Sequence, residues 1–274
     1  MILARTGTAP EKHTIPTRRA ARRTYRVGVS ARYDVIGATY TATRQPDPRV
    51  ERQIRAALAD ARRVVNVGGG TGSYETAGPV VATVDPSAVM LTQRPVDAAP
   101  AARGVAEHLP FRDGVFDAAL AIFTIHHWSD WRAGIAEVRR VAGRIVMLTW
   151  DPDIQSLFWL TDEYLPEALT DDQFNGPTFA ELDDALGGVR VEPVPIPADC
   201  RDGFFAAYWA RPEAYLDPTV RAGISCCSLL DQTLVEARIA RLASDLESGA
   251  WDARHPGLRA QAEIDVGYRL VISD

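Results

Sequence analysis

The stretch VVNVGGGTG, residues 64–72, constrains the fold of this chain more than any other feature. Three valines and an asparagine are followed at once by four glycines within five residues. A short apolar run of this kind is typical of a strand covered on both faces. Glycines directly after it allow the backbone to approach a ligand closely, near the start of a helix. The stretch therefore predicts a buried strand, a ligand-binding turn and then a helix.

Apolar runs and helical spacings alternate along the chain around this stretch. ERQIRAALADARR, from Glu51, places Ile54 and Leu58 on one helical face. Further apolar runs lie at residues 80–84, 118–124 and 144–148, separated by segments such as WRAGIAEVRRVAG. This alternation predicts an α/β fold with a doubly wound, mostly parallel sheet. VRVEPVPIP is predicted to be another strand, and GYRLVISD a closing strand that inserts antiparallel because no helix follows it.

The chain is predicted to divide into three parts. Residues 1–24, which contain several arginines and two prolines, are predicted to be a flexible N-terminal tail. Residues 201–262 are predicted to be a helical cap insertion that contributes to the substrate site, with a long helix over 228–248 that stops at Gly249. Residues 25–200 and 263–274 then form the ligand-binding domain.

Composition narrows the kind of partner. The chain of 274 residues has a formal net charge of −6, which argues against non-specific nucleic-acid binding. Lys12 is its only lysine, so Schiff-base chemistry and a lysine-bound pyridoxal cofactor are not expected. No apolar run reaches the ~20 residues of a membrane span, and no secretory signal is evident, so a cytoplasmic protein without a membrane partner is expected. The three cysteines, two of them adjacent, predict buried thiols rather than a disulfide framework.

The glycines are compatible with three ligand classes to different degrees. A nucleoside-triphosphate loop needs a lysine, but Ser73 follows Gly72. A dinucleotide fold favours a third glycine where Ser73 stands, so that class is weakened but stays open. S-adenosylmethionine is the third class.

Four segments in order resemble the class I S-adenosylmethionine-dependent methyltransferases. Gly68, Gly70 and Gly72 form a G-x-G-x-G motif after a strand, VATVDPSAVML follows with Asp85, and GVAEHLPFRDGVFDAALAIFTIHHWSDW comes next. The resemblance covers about residues 33–150 and is greatest to the ubiquinone and menaquinone biosynthesis methyltransferases and to natural-product methyltransferases of secondary metabolism. It implies a seven-stranded Rossmann-like sheet and S-adenosylmethionine as cofactor.

The resemblance also implies which residues bind the cofactor. Asp85 is expected to accept both ribose hydroxyls, and Phe123 to lie beneath the methionine end. Asn66 stands where the family usually has an acidic residue, so it can accept from the cofactor's amino group only as a neutral dipole; weakened affinity and a tolerated, water-mediated contact are both open. The full predicted set of cofactor-binding residues is Tyr33, Tyr40, Asn66, Gly68, Gly70, Gly72, Asp85, Ala106, Glu107 and Phe123.

Methyl transfer requires the acceptor to be aligned with the methyl carbon, and a general base only for some acceptors. His126 and His127 are the candidate bases, with packing or cofactor positioning as the alternative. Whether an oxygen, nitrogen or carbon nucleophile of a small molecule is methylated stays open. The remaining histidines have no metal-ligand spacing with each other or with the cysteines, so no metal is predicted.

Aromatic residues in the later part of the chain are candidates for the acceptor site. Trp159, Tyr208 and Trp209 are predicted to contact a planar or apolar substrate, although core packing is favoured for most of the aromatics in these segments, with Tyr208 or Trp209 as the ones that face the pocket. The alternative function is a repurposed S-adenosylmethionine-binding protein that catalyses a non-methylating reaction or only binds the cofactor. A monomer or homodimer is expected.

Overall fold

The computed structural model describes residues 44–169 and 176–274. Four sequence predictions fall wholly or partly outside these residues. The predicted tail, residues 1–24, is one, and the proposed cofactor contacts of Tyr33 and Tyr40 are two more. The predicted ligand-binding domain begins at residue 25 and is described only from residue 44 onward.

A seven-stranded sheet forms the centre of the molecule, with strands in the order β3-β2-β1-β4-β5-β9-β6. Strands β1 to β5 pair in parallel, and β9 lies antiparallel between β5 and β6. The predicted fold class and the antiparallel closing strand are therefore confirmed. The strands are β1 (Val64–Val67), β2 (Val80–Asp85), β3 (Ala101–Arg103), β4 (Phe116–Ile122), β5 (Ala142–Trp150), β6 (Arg190–Pro193), β7 (Ile196–Pro197), β8 (Glu263–Ile264) and β9 (Tyr268–Ser273).

Helices cover both faces of the sheet. The α-helices are α1 (Pro48–Leu58), α2 (Ala88–Thr92), α3 (Trp131–Val141), α4 (Pro152–Gln155), α5 (Phe179–Leu186), α6 (Pro218–Ala222), α7 (Ser225–Leu229), α8 (Gln232–Glu247) and α9 (Ala250–Arg254). One face packs against α1 and the later helices, and the other against α3 and α5. Alternate residues of β1 and β5 enter opposite cores: Val64 and Val146 face α1, whereas Val65 and Ile145 face α3. This double burial explains the near-continuous apolar runs.

The structure differs from the predicted elements at four places. The glycine turn leads not to an α-helix but to a short 3-10 helix, Glu75–Ala77, because Tyr74 adopts a left-handed backbone with φ of 61°. The predicted helix over 228–248 is divided into α7 and α8, because Leu230 is extended and Asp231 caps a new helix start by accepting from the Leu234 amide. VRVEPVPIP is divided into β6 and β7, and β3 was not predicted.

The segment predicted as a cap shares its core with the sheet. Trp209, Trp251 and Val235 belong to the same buried cluster as Leu120 and Leu148 of the sheet. Cys200 and Cys227 are buried, Cys226 is half-buried, and all three are free thiols. The predicted boundaries between the ligand-binding domain and the cap, at residues 200 and 263, stay a prediction. The same buried core contains residues from both sides of these boundaries.

Candidate active site

A crevice opens at the carboxyl ends of β1, β2 and β4. Strand β1 has β2 on one side and β4 on the other, so the connections leave it in opposite directions, and ligands bind in open α/β sheets at such a point. The crevice spans about 620 Å³ of space, part of which is open solvent. Its lining among the described residues is Arg44, Asn66, Gly68, Gly69, Gly70, Thr71, Ser73, Asp85, Pro86, Met90, Ile122, Phe123, Thr124 and His127.

The glycine turn is held by the protein itself. Gly68 has φ of 72°, and a Cβ there would overlap the hydroxyl of Thr124 at the end of β4. The Thr124 hydroxyl also accepts from the Trp128 indole at 3.3 Å, so it is not free to turn away without losing that bond. Gly68 is therefore required by a close approach between two protein segments as well as by its backbone conformation.

Asp85 ends β2 and fixes the opposite wall of the crevice. Its Oδ2 accepts from the Gly70 amide at 2.8 Å, and its Oδ1 accepts from the Ser87 amide at 2.8 Å. The carboxylate is 8% exposed and lines the crevice. A carboxylate oxygen can accept more than one hydrogen bond, so Asp85 both shapes the glycine turn and presents negative charge to a ligand.

Asn66 lines the same crevice and carries an acceptor without a described partner. Its side chain is buried, and its Nδ2 donates to Glu75 Oε1 at 3.1 Å. Its Oδ1 has no hydrogen-bond partner among the described residues, although it is fully buried. A buried acceptor that lacks a protein partner and lines a crevice is what a donor group of a ligand would satisfy.

The Glu75–Arg94 ion pair lies behind the glycine turn and was not predicted from the sequence. Arg94 donates from Nη1 and Nη2 to the two carboxylate oxygens of Glu75 at 2.9 and 2.7 Å, and both side chains are more than nine-tenths buried. A Cβ at Gly72 would meet this ion pair, so Gly72 makes room for Arg94. The sequence signal was Glu75 itself, an acidic residue three positions after the last glycine of the turn.

Arg44 is a second crevice residue that the sequence reasoning missed. Its guanidinium donates from Nε to Asp202 Oδ1 at 2.7 Å and lies 5.8 Å from the centre of the Phe123 ring. The Tyr74 hydroxyl donates to the other oxygen of Asp202 at 2.9 Å. Burial, with this carboxylate beside it, raises the pKa of Tyr74 well above its ordinary value, so the phenol stays protonated. The buried Asp202 carboxylate thus joins the crevice to residues 201–262, the segment predicted as a cap.

The turn after β4 carries the two candidate bases. Phe123 has a left-handed backbone with φ of 51°, and the 3-10 helix Ile125–His127 follows. His127 lines the crevice, whereas the ring of His126 lies 4.4 Å from that of Trp150. Strained backbone at a non-glycine residue often marks a functional site, and here the strained residue, Phe123, lines the crevice.

Other predicted site residues lie away from this crevice lining. Glu107 Oε1 accepts from the Ser129 hydroxyl and the Asp130 amide, and Ala106 packs in the core beside α3. Trp159 and Trp209 are buried, and their indoles donate to the carbonyls of Trp209 and Ile196. Tyr208 is half-buried, with Arg211 over its ring. Their predicted contacts with cofactor or substrate stay predictions.

Comparison with known proteins decides the family. A family profile described as a methyltransferase domain matches residues 65–144. A solved structure from Anabaena variabilis, described as a candidate methyltransferase from an antibiotic biosynthesis pathway, is 33% identical, with a TM-score of 0.78 over 84% of this chain and 98% of that one. The chain belongs to the class I S-adenosylmethionine-dependent methyltransferases.

Two further similarities are to a curated protein and to a second solved structure. Demethylmenaquinone methyltransferase of Mycolicibacterium gilvum is 30% identical over 150 residues, which are 52% of this chain and 66% of the relative. The match thus spans just under two thirds of the length of that curated relative. The [4+2]-cyclase SpnF is 14% identical with a TM-score of 0.51 over 89% of this chain and 94% of that one, which shows a shared fold alone.

The crevice of this methyltransferase fits the cofactor of its family. The buried Oδ1 of Asn66 lacks a partner among the described residues, and the Asp85 carboxylate stands at the end of β2 on the same crevice. S-adenosylmethionine has an amino group and ribose hydroxyls that would donate to such acceptors. Within residues 44–169 and 176–274, no helix is long and apolar enough to span a membrane, and no group of three or more potential ligands is arranged for a metal ion.

Proposed function

We propose that this chain transfers the methyl group of S-adenosylmethionine to a small molecule that carries a planar, largely apolar ring. The observation that carries the proposal is the convergence of Asn66, Asp85 and the glycine turn on one crevice. In this proposal Asp85 accepts from the ribose hydroxyls and Asn66 from the amino group. Arg44, the cation of the crevice lining, pairs with the carboxylate of the methionine moiety.

The acceptor site is proposed to lie beside Phe123. The Phe123 ring lies 5.4 Å from the rings of both Phe204 and Tyr268, so an aromatic surface continues from the crevice to the later segment. Phe204 and Tyr268 are almost fully buried, which leaves Phe123 and Trp150 as the more accessible rings. Aromatic faces favour a flat, apolar partner. The functions described for the relatives, a quinone methyltransferase and an antibiotic-pathway protein, agree with such an acceptor.

Catalysis is proposed to depend mainly on placement. When bound, S-adenosylmethionine supplies a methyl carbon on a sulfonium, which is already an activated electrophile. The aromatic surface holds the acceptor and excludes water, and such placement contributes about 7–11 kcal/mol to lowering a barrier. For a hydroxyl or acidic-carbon acceptor, the His127 imidazole at the crevice takes the proton released as the new bond forms.

Calorimetry with S-adenosylmethionine tests whether the crevice binds the cofactor. The variant Asp85→Asn can be compared with a matched control, Asp117→Asn. Asp85 and Asp117 each hold two backbone amides, but Asp117 holds those of Arg62 and Arg63 before β1, at the opposite edge of the sheet. Asp85→Asn is expected to weaken binding about 10- to 100-fold because it removes hydrogen bonds to a charged acceptor. Asp117→Asn is expected to leave affinity unchanged; equal affinities in both variants would contradict the site.

Incubation with methyl-labelled S-adenosylmethionine tests whether the protein transfers the methyl group to a small molecule. Phenols, amines and activated carbon acids, each with and without an aromatic ring, form the acceptor panel. Label is expected to appear on ring-bearing acceptors. Binding of the donor without transfer to any of them would favour a repurposed cofactor-binding protein, and no heat at millimolar donor would exclude both functions.

A further inference from the structure

The side-chain amide of Asn66, a residue of the crevice lining, can be placed in two ways. A half-turn about its last bond exchanges Oδ1 and Nδ2, so something must fix the choice. Nδ2 lies 3.1 Å from Glu75 Oε1. With the amide reversed, Oδ1 would face a carboxylate oxygen, and two acceptors would oppose each other. Glu75 therefore selects the orientation in which Oδ1 is directed away from it.

Glu75 is itself held firmly. Its Oε1 accepts from the Thr83 hydroxyl at 2.6 Å as well as from Arg94, and its Oε2 accepts from Arg94 at 2.7 Å. Arg94 also donates to the carbonyls of Ala99 at 2.9 Å and of Gly70 at 3.4 Å. A two-pronged arginine contact with these further bonds locks both position and charge. The carboxylate is thus tied to both the glycine turn and strand β2.

We infer that Glu75 is a positioning residue for the cofactor's amino group. It acts through Asn66, whose dipole it aligns so that the acceptor end faces the donor in the crevice. The inference rests on the proposed function. It also gives a reason for a neutral amide at position 66, since an aspartate there would set a second carboxylate about 3 Å from Glu75 Oε1.

The test compares two probes that differ at the relevant group. S-adenosylhomocysteine has the amino group together with the carboxylate of its amino-acid moiety, whereas 5′-methylthioadenosine has only the adenosine and thioether. Glu75→Gln is expected to weaken S-adenosylhomocysteine binding about five- to tenfold, the effect of one net hydrogen bond, because its amide can turn either end toward Asn66. Affinity for 5′-methylthioadenosine is expected to stay unchanged. Equal weakening of both probes, or of neither, would overturn the inference.

A second substitution supplies a rescue. The two oxygens of a carboxylate are equivalent, so an acid at position 66 needs no orienting partner. Asn66→Asp alone is expected to lower the unfolding midpoint of the ligand-free protein because it faces Glu75. Adding Glu75→Gln is expected to restore that midpoint and to bind S-adenosylhomocysteine more tightly than Glu75→Gln alone. A double variant that binds as weakly as Glu75→Gln would contradict the positioning role.

A control variant and a replacement variant keep the outcomes of this test separate. Glu137→Gln removes a carboxylate from another two-pronged arginine contact, that with Arg140 on α3, and is expected to leave both affinities unchanged. If Glu75→Gln does not fold, Glu75→Asp keeps the charge beside Arg94 but withdraws it from Asn66, with the same selective loss expected. Wild-type protein that binds neither probe would overturn the proposed function together with this inference, whereas unchanged variants with wild-type binding would overturn the inference alone.

Discussion

His126 and His127 are neighbours in the chain, but they have different surroundings. His127 lines the crevice, and His126 packs edge-on against Trp150 with ring centres 4.4 Å apart. The sequence presented both as candidate bases, since two adjacent imidazoles cannot be distinguished by pattern. In the short 3-10 helix the two ring centres lie 3.7 Å apart, and of the two only His127 belongs to the crevice lining.

Replacing each histidine by alanine is expected to separate these roles. His127→Ala is expected to lower kcat by about 10²- to 10⁴-fold for a hydroxyl acceptor, because the proton then lacks its base. His126→Ala is expected to lower the unfolding midpoint and to change kcat far less. Steady-state kinetics with the acceptor found above, together with thermal unfolding, measure both effects. A larger fall in kcat for His126→Ala would reverse the assignment.

Strands were predicted more reliably than the segments between them. β1 is fully buried, and β4, β5 and the second half of β2 are largely buried, which requires apolar runs that can be read directly from the sequence. β3 has three residues, none of them fully buried, and gives no such signal. The helix expected after the glycines is absent because Tyr74 turns its phenol to Asp202, a partner 128 residues away that local pattern cannot reveal.

Some features of the crevice could likewise be predicted from the sequence, whereas others depend on residues far apart in the chain. Asn66 and Asp85 lie at the ends of predicted strands and the glycines follow the first of these strands, so their convergence could be predicted from the topology of a parallel sheet. The Glu75–Arg94 and Arg44–Asp202 pairs join residues 19 and 158 positions apart, and they form only when the chain is folded.

The start of α1 gives a pH-dependent prediction. Burial raises the pKa of Asp47, but hydrogen bonds from Arg49 and from the Arg201 amide outweigh it and lower the pKa to about 2, from an ordinary value of 3.8. A lowered pKa stabilises the fold above pH 3.8, and that contribution is lost as the pH falls toward 2.

Asp47→Asn keeps a capping oxygen and removes the charge. The free energy of unfolding at pH 7 is expected to fall by about 1–2 kcal/mol, and the difference from wild type is expected to shrink between pH 4 and pH 2. Urea unfolding at several pH values measures this, with exposed Asp97→Asn as the control. A difference that persists unchanged at pH 2 would mean that the charge of Asp47 is not responsible.

Asp202 connects three parts of the molecule through one buried carboxylate. Arg44 comes from the segment before α1, Tyr74 from the end of the glycine turn, and Asp202 from the later segment that shares the core with the sheet. Both Arg44 and Asp202 are nearly inaccessible to solvent. Removal of one partner of a buried ion pair is costly, because the other charge stays in place.

Asp202→Ala is therefore expected to reduce the free energy of unfolding by about 3–5 kcal/mol. Tyr74→Phe removes only the phenol bond to this carboxylate and is expected to cost about 1 kcal/mol. Exposed Asp199, which pairs with Arg49, supplies the control, and its alanine variant is expected to change stability by less than about 1 kcal/mol. Denaturant unfolding ranks the three; an Asp202→Ala variant no less stable than Asp199→Ala would show that the carboxylate does not join these segments.

The position of β9 has a consequence for how the molecule is made on the ribosome. Residues 268–273 lie between β5 and β6, so β5 keeps an unpaired apolar edge until they emerge. The strands that build the crevice are all synthesised by residue 150 and can pair beforehand. During translation of more than a hundred further residues, the Val146 and Leu148 edge is open to other nascent chains. Slow synthesis of the last third should therefore increase the demand for chaperones.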